Sequence, residues 1–184
     1  MAGVKQIPGV LAASSMAGNV LGGPSAGNRW QYNGADDTTL FMPFLANYGM
    51  IETLGITMKE GRTFSTAYSM DTAKIIFKEA AIELMGIKDP IGKTIRFDGL
   101  NREIIGVTKN FHYQSLHETV KPLFFKPDAP GNTVMAKINT AQTKEVLSNL
   151  QSYYTAYNPG FAFDFKFLDE DYQAQYLAEK EWLY

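Results

Sequence analysis

The sequence has no cysteine and only two histidines, His112 and His117. Disulfides and thiolate chemistry are therefore excluded, and a structural zinc site loses its usual ligands. The compartment stays open, since disulfide-free proteins occur in the cytosol and in bacterial envelopes alike. Strong charge of either sign is also missing. A net charge of −2 and a pI near 5.7 give neither a basic footprint for nucleic acid nor a polybasic patch for a membrane surface. No segment reaches the roughly 18 apolar residues of a membrane span. Residues 7–24 carry no charge, but Pro8, Gly9, Gly18, Gly22 and Gly23 break them. A signal peptide with Lys5 as its basic end and Leu11-Ala12-Ala13 in its apolar part fits poorly. An excised domain beginning at an added Met explains the start better. Internal repeats and low-complexity tracts are absent too.

What is present suits a folded domain. In 184 residues, 45% are hydrophobic and 20% charged, enough to bury a core in one domain or two small interlocked ones. Residues 10–17 read as an extended, small-residue segment and 18–28 as a loop, with Trp30 and Tyr32 anchoring it to the core. Leu40, Met42, Phe44 and Ala46 alternate as a strand, and Pro43 places it at an edge or a bulge. Asn47 is suited to cap a short helix through Leu54, stopped by Gly55. Residues 56–58 read as extended, Glu60-Gly61-Arg62 as a turn and 65–71 as a polar loop. A strand over 75–77 leads into a helix over 79–85, ended by Gly86. Residues 94–97 and 103–107 flank Asp98-Gly99 as a β-hairpin, and 123–125 form another short strand.

Val134, Ala136 and Ile138 alternate as a strand. Val146, Leu147, Leu150, Tyr153, Tyr154 and Tyr157 form one apolar helical stripe, ended by Asn158-Pro159-Gly160. Phe161, Phe163, Phe165 and Phe167 predict a strand with one aromatic face. Asp169 caps a final helix with Tyr172, Tyr176, Leu177 and Leu183 on its apolar side. Mixed strands and helices give an α+β class. The 134–168 unit is expected to pair with 39–54 in one layer, with 75–125 inserted. The expected division is a discontinuous subdomain of 1–72 and 131–184 around an inserted subdomain of 73–130.

No catalytic, cofactor-binding or metal-binding residue is assigned. Gly92-Lys93-Thr94 resembles the end of a phosphate-binding P-loop, but the first glycine of that motif would fall at Ile87. Pro90 removes a backbone amide from the would-be cradle, and the residues that follow read as a strand rather than a helix. His112 and His117 are five residues apart, awkward for one helical face, and read as loop histidines; pairing them with Glu118 as metal ligands is weak. Asp169, Glu170 and Asp171 are explained by capping and the helix dipole before calcium or acid–base chemistry. Ser14 and Ser15 sit in no nucleophile-elbow pattern. The expectation is therefore a protein that is not an enzyme and needs no cofactor.

An ordered set of short motifs carries a resemblance. It comprises Ile7-Pro8-Gly9-Val10, Leu54-Gly55-Ile56, Lys59-Glu60-Gly61-Arg62-Thr63-Phe64-Ser65 and Glu79-Ala80-Ala81. It continues with Asp89-Pro90-Ile91-Gly92-Lys93, Ile104-Ile105-Gly106-Val107, Lys109-Asn110-Phe111-His112, Phe167-Leu168-Asp169 and the residues from Tyr176 to Glu179. Together they resemble the MacB-like periplasmic core domain of ABC transporter permeases with an FtsX-like membrane domain. Asn110 and Lys78 depart from it, standing where family members often have Asp and Asn. Many relatives begin with a strand and helix before the Pro-Gly-Val segment, a part this chain lacks or retains only as a tail.

The resemblance implies a porter-like sheet-and-helix layer with a second small α+β subdomain inserted, lying between two membrane helices on the periplasmic side of the bacterial inner membrane. It implies the rest of the permease, a cytoplasmic ABC ATPase acting indirectly, a homodimeric or pseudo-dimeric permease and a periplasmic partner protein as partners. The implied work is coupling ATP-driven transmembrane motion to export or release of a substrate, or to that partner, with no bond chemistry of its own. The rival reading is an extracytoplasmic small-molecule-binding sensor, with a cleft formed by the loops around 18–32 and 110–118.

Overall fold

The structure is a computed structural model, and it describes residues 2–16, 26–45, 47–68, 71–111, 121–127, 131 and 133–168. The expected final helix from Asp169, both histidines and the Asp169–Asp171 acids lie outside the described residues. So do most of the loops assigned to a sensor cleft.

The described chain is α+β, with two sheets. A short helix α1 (Ala2–Lys5) precedes strand β1 (Val10–Met16). Then come β2 (Ala26–Tyr32), β3 (Ala35–Leu45), helix α2 (Met50–Leu54), β4 (Met58–Gly61) and β5 (Lys74–Lys78). Helix α3 (Glu79–Met85) is followed by β6 (Thr94–Phe97), β7 (Leu100–Thr108), β8 (Leu123–Lys126) and β9 (Thr133–Ile138). Helix α4 (Thr143–Tyr157) completes the series.

The larger sheet runs β4-β7-β5-β8-β3-β2-β6, and β6 also pairs with β7. That extra pairing closes six strands into a small barrel and leaves β4 as a flap on β7. Closure removes the exposed edges that an open sheet would present. The seam is short: β2 meets β6 only at Trp30–Phe97 and Gln31–Arg96. Asp98 reinforces it. Its backbone N–H donates to the Arg29 carbonyl at 2.8 Å, and its carboxylate accepts from Asn28 Nδ2 at 2.6 Å and from the Arg29 N–H at 3.1 Å.

Alternation along the strands gives the sheet two buried faces. Phe41, Ile75, Phe77, Ile95, Phe97, Ile104, Val107 and Phe124 point to one side, where Ala81, Ile82 and Met85 of α3 join them. Four of these rings interlock edge to face, with Phe97 and Phe124 centroids 4.8 Å apart and Phe41 and Phe97 5.5 Å apart. Met42, Phe44, Ile76, Ile105, Leu123 and Phe125 point to the other side, against Met50 and Ile51 of α2 and Phe64.

The second sheet is only β1 paired antiparallel with β9. Here the expected layer needs correction. Residues 134–138 do not pair with 39–45, because β2 occupies one edge of β3 and β8 the other. Strands β2, β3 and β4, from residues 26–61, lie in the same sheet as β5 to β8, from residues 74–126, so hydrogen bonding runs across the expected boundary at 72/73. Pro43 sits where only β8 runs beside β3: β2 pairs no further than Phe41 among the described residues. The Met42 N–H reaches the Pro122 carbonyl, so the missing donor of Pro43 faces away from β8.

The helix over 79–85 and its Gly86 stop are as expected, with Gly86 left-handed at φ 65. So is the hairpin at Asp98-Gly99, whose φ values of 49 and 78 make a two-residue turn with both residues left-handed. Four expectations differ. Helix α2 begins at Met50 with Gly49 before it, and Asn47 instead bonds Tyr48 and Ser15. Residue Gly61 ends strand β4 rather than a free turn. Of the stripe on α4 only Val146 is buried, held where Gly9 has no side chain. Residues 161–167 are extended but belong to no strand.

Candidate functional site: the junction of the two sheets

The small sheet and the barrel meet at α2, and the sequence explains why. Gly49 and Gly55 are left-handed at φ 84 and 70, so the chain turns sharply into and out of five helical residues. Met50, Ile51 and Thr53 are all buried in that single turn and a half. Met50 and Ile51 face the barrel's outer core, and Met135 of β9 packs on the same cluster. The helix is therefore a plug shared by both sheets.

Polar bonds fix the plug from the small-sheet side. Ser14 Oγ donates to the carbonyls of Asn47, at 3.1 Å, and Tyr48, at 2.9 Å. Asn47 returns two bonds to Ser15, from its N–H to the Ser15 carbonyl at 2.9 Å and from Nδ2 to Oγ at 3.2 Å. Both serines are buried, so these bonds replace water the hydroxyls have lost. Ser14 and Ser15 thus act as structural ties, without a base beside them. On the barrel side Thr63 Oγ1 donates to the Glu52 carboxylate at 2.5 Å.

Next to the plug lies a buried ion pair that the reading of 65–71 as a polar loop does not anticipate. The Asp71 carboxylate is fully buried and accepts two bonds from the Arg62 guanidinium, at 2.7 and 2.9 Å, and one from the Ser65 N–H at 2.8 Å. The hydrogen bond from Arg62 chiefly holds Asp71 below the usual carboxylate range, against the opposing effect of burial. Arg62 itself is pinned, its N–H on the Ile105 carbonyl and its guanidinium 3.9 Å from the Tyr68 ring centroid. The local signal was Gly61: at φ 74 it runs against Ile105 and Gly106, an approach that a side chain would block.

Lys78 is the second buried charge. Its Nζ donates to the Phe111 carbonyl at 2.6 Å and lies 4.6 Å from that ring. Burial lowers its pKa from 10.5 to about 8. Asn110 Oδ1 accepts from the Ala80 N–H at 3.0 Å, so 109–111 are bound to the start of α3. Lys59 pairs with Glu79 on the same side.

Gly92-Lys93-Thr94 forms a turn into β6, with the Gly92 N–H on the Ile104 carbonyl and Lys93 Nζ on the Lys88 carbonyl. The amides there serve the hairpin, not an anion cradle. Among the described residues, no three His, Cys, Asp or Glu side chains gather as metal ligands. No described helix is long and apolar enough to cross a membrane. The hollow beside α2, lined by Asn47, Glu52, Thr63, Phe64 and Phe125, has a volume of about 10 Å³, room for about one water. What the junction can do is hold two layers at a fixed angle.

No family model matches the chain, and no curated protein does. Solved structures do. The periplasmic region of MacB from Actinobacillus actinomycetemcomitans superimposes with a TM-score of 0.63 at 13% identity, covering 94% of this chain and 79% of that one. The extracellular domain of the noncanonic ABC-type transporter YknZ from Gram-positive bacteria gives 0.56 at 17%, covering 85% and 81%. A domain assigned to a permease protein of Porphyromonas gingivalis gives 0.55 at 16%, covering 84% and 68%. At these identities the likeness is one of fold, and it spans nearly the whole described chain. The chain has the fold of the MacB-like periplasmic core domain.

Proposed function

We propose that this chain is the extracytoplasmic domain of an ABC-type permease, and that it transmits motion rather than performing bond chemistry. The observation that carries this reading is the likeness to transporter extracytoplasmic domains over 84% to 94% of the chain. The junction supports it physically. A lever must resist bending where its parts meet, and α2 is clamped by apolar packing on one side and by buried hydroxyl bonds on the other.

In this reading the small sheet with its helices is the porter-like layer. The barrel is the inserted unit, taken from the chain between β1 and β9. Membrane helices of the parent permease flank the segment on the periplasmic side of the bacterial inner membrane. A cytoplasmic ABC ATPase drives them, in a homodimeric or pseudo-dimeric permease, and the domain passes the movement to a substrate or to a periplasmic partner protein.

The test is the parent gene and its topology. Apolar spans are expected on both sides of this segment, with an ATPase encoded beside it, and a reporter fused at the barrel should read as extracytoplasmic. A complete protein without membrane spans, ending at Tyr184, would overturn the reading.

A further inference from the structure

Residues 161–167, Phe-Ala-Phe-Asp-Phe-Lys-Phe, have every local property of a β-strand except a partner. The segment is extended, and its alternating phenylalanines stack along one side. Phe163 and Phe165 centroids are 5.6 Å apart, and those of Phe165 and Phe167 5.5 Å. Tyr154 of α4 supports Phe163 from beneath at 5.7 Å. Yet Phe161 is 72% exposed and Phe165 48%. Among the described residues, the backbone of 162–167 makes no hydrogen bond. Asp164 and Lys166, on the opposite side, are exposed and form no salt bridge there. A strand left open on both edges is a template for another strand.

The charges select which strand. In antiparallel pairing centred on Phe165, each residue faces the one whose number makes a sum of 330 with its own. Asp164 then stands opposite Lys166 of the second copy, and Lys166 opposite its Asp164, both on the outer face. Phe165 meets Phe165, and Phe163 meets Phe167, on the aromatic face. Directly opposed side chains are close enough for such charges to attract. A register displaced by two residues sets Asp164 against Asp164 or Lys166 against Lys166. An odd displacement turns the phenylalanines of one copy onto the charged face of the other. Parallel pairing in register places like charges side by side.

We infer that residues 161–167 are a self-complementary strand through which two copies of this chain pair across a two-fold axis. The interface is isologous, so both charge pairs form at once. This inference is independent of the permease reading, because it rests only on the segment's sequence and exposure.

Sedimentation of the 184-residue chain tests it. The wild type should show a concentration-dependent monomer–dimer equilibrium. Asp164→Lys and Lys166→Asp should each weaken association by at least about tenfold, since each replaces two attractions with two repulsions. An equimolar mixture of the two variants should restore the dimer, because every Lys then faces an Asp. Matching circular dichroism and Tm of the separate variants checks that each is folded. A wild type that stays monomeric, a charge reversal that leaves the dimer intact, or a mixture that does not reassociate overturns the proposal.

Discussion

Two buried charges respond to pH in opposite senses, and the residue scale is where that difference can be measured. Asp71 sits below its ordinary 3.8 because the folded state hydrogen-bonds its charged form. A carboxylate depressed in this way stabilises the fold fully above its unfolded pKa and loses that contribution as pH falls through and below it. Asp71→Asn should cost about 2–3 kcal/mol at neutral pH, because it leaves the Arg62 guanidinium with weaker acceptors in a half-buried position. Urea unfolding should show the gap between the two proteins narrowing below about pH 4. A gap that stayed constant would mean that the ion pair carries none of the difference.

Lys78 behaves inversely. Burial favours its neutral form, so its charge opposes folding below about 8, and stability from this group rises between about 8 and 10.5. Lys78→Met should remove that rise, which for the wild type amounts to roughly 3 kcal/mol. Comparing the two proteins by thermal unfolding across that range cancels the tyrosines that titrate nearby. Parallel curves would show that Lys78 keeps its ordinary pKa.

At the scale of elements, legibility followed locality. The helix over 79–85, its Gly86 cap and the Asp98-Gly99 hairpin are settled by residues adjacent in sequence, and they are where expected. The first hairpin had an equally local signal in Asn33-Gly34, left-handed at φ 49 and 86, beside strands whose polar residues masked the alternation. Pairing was not legible. Which strand accompanies β9 depends on β3 being occupied on both edges, and barrel closure depends on two residue pairs far apart in sequence. The junction was hidden for a similar reason, since Ser14 and Asn47 meet only in the fold. Asp71, inside a polar stretch, gave no sign of its burial. Closure gives the element-scale prediction. Asp98→Ala removes both acceptors of the seam and places alanine at φ 49, so it should cost about 1–3 kcal/mol. Hydrogen exchange should speed up most in β2 and β6. Equal acceleration throughout the barrel would show that the seam is not its weakest line.

For the whole molecule the question is whether barrel and small sheet unfold as one body. The barrel has two apolar clusters, whereas β1 and β9 form a two-stranded sheet that depends on α2 and α4 for cover. A two-stranded sheet is marginal by itself. Its attachment therefore decides its stability, and Ser14 is the attachment that can be cut without changing the apolar core. Ser14→Ala removes the two bonds to the Asn47 and Tyr48 carbonyls, leaving those carbonyls short of a donor at a buried position, at a cost of about 1–2 kcal/mol. If the sheets open separately, native-state hydrogen exchange should show that loss in the amides of β1 and β9, while those of β5 and β7 keep their protection. If the molecule opens only as a unit, all four strands should lose protection by the same factor. The first outcome would locate the compliant point of the lever at the α2 junction. The second would mean that motion entering through either sheet is delivered to the other undiminished.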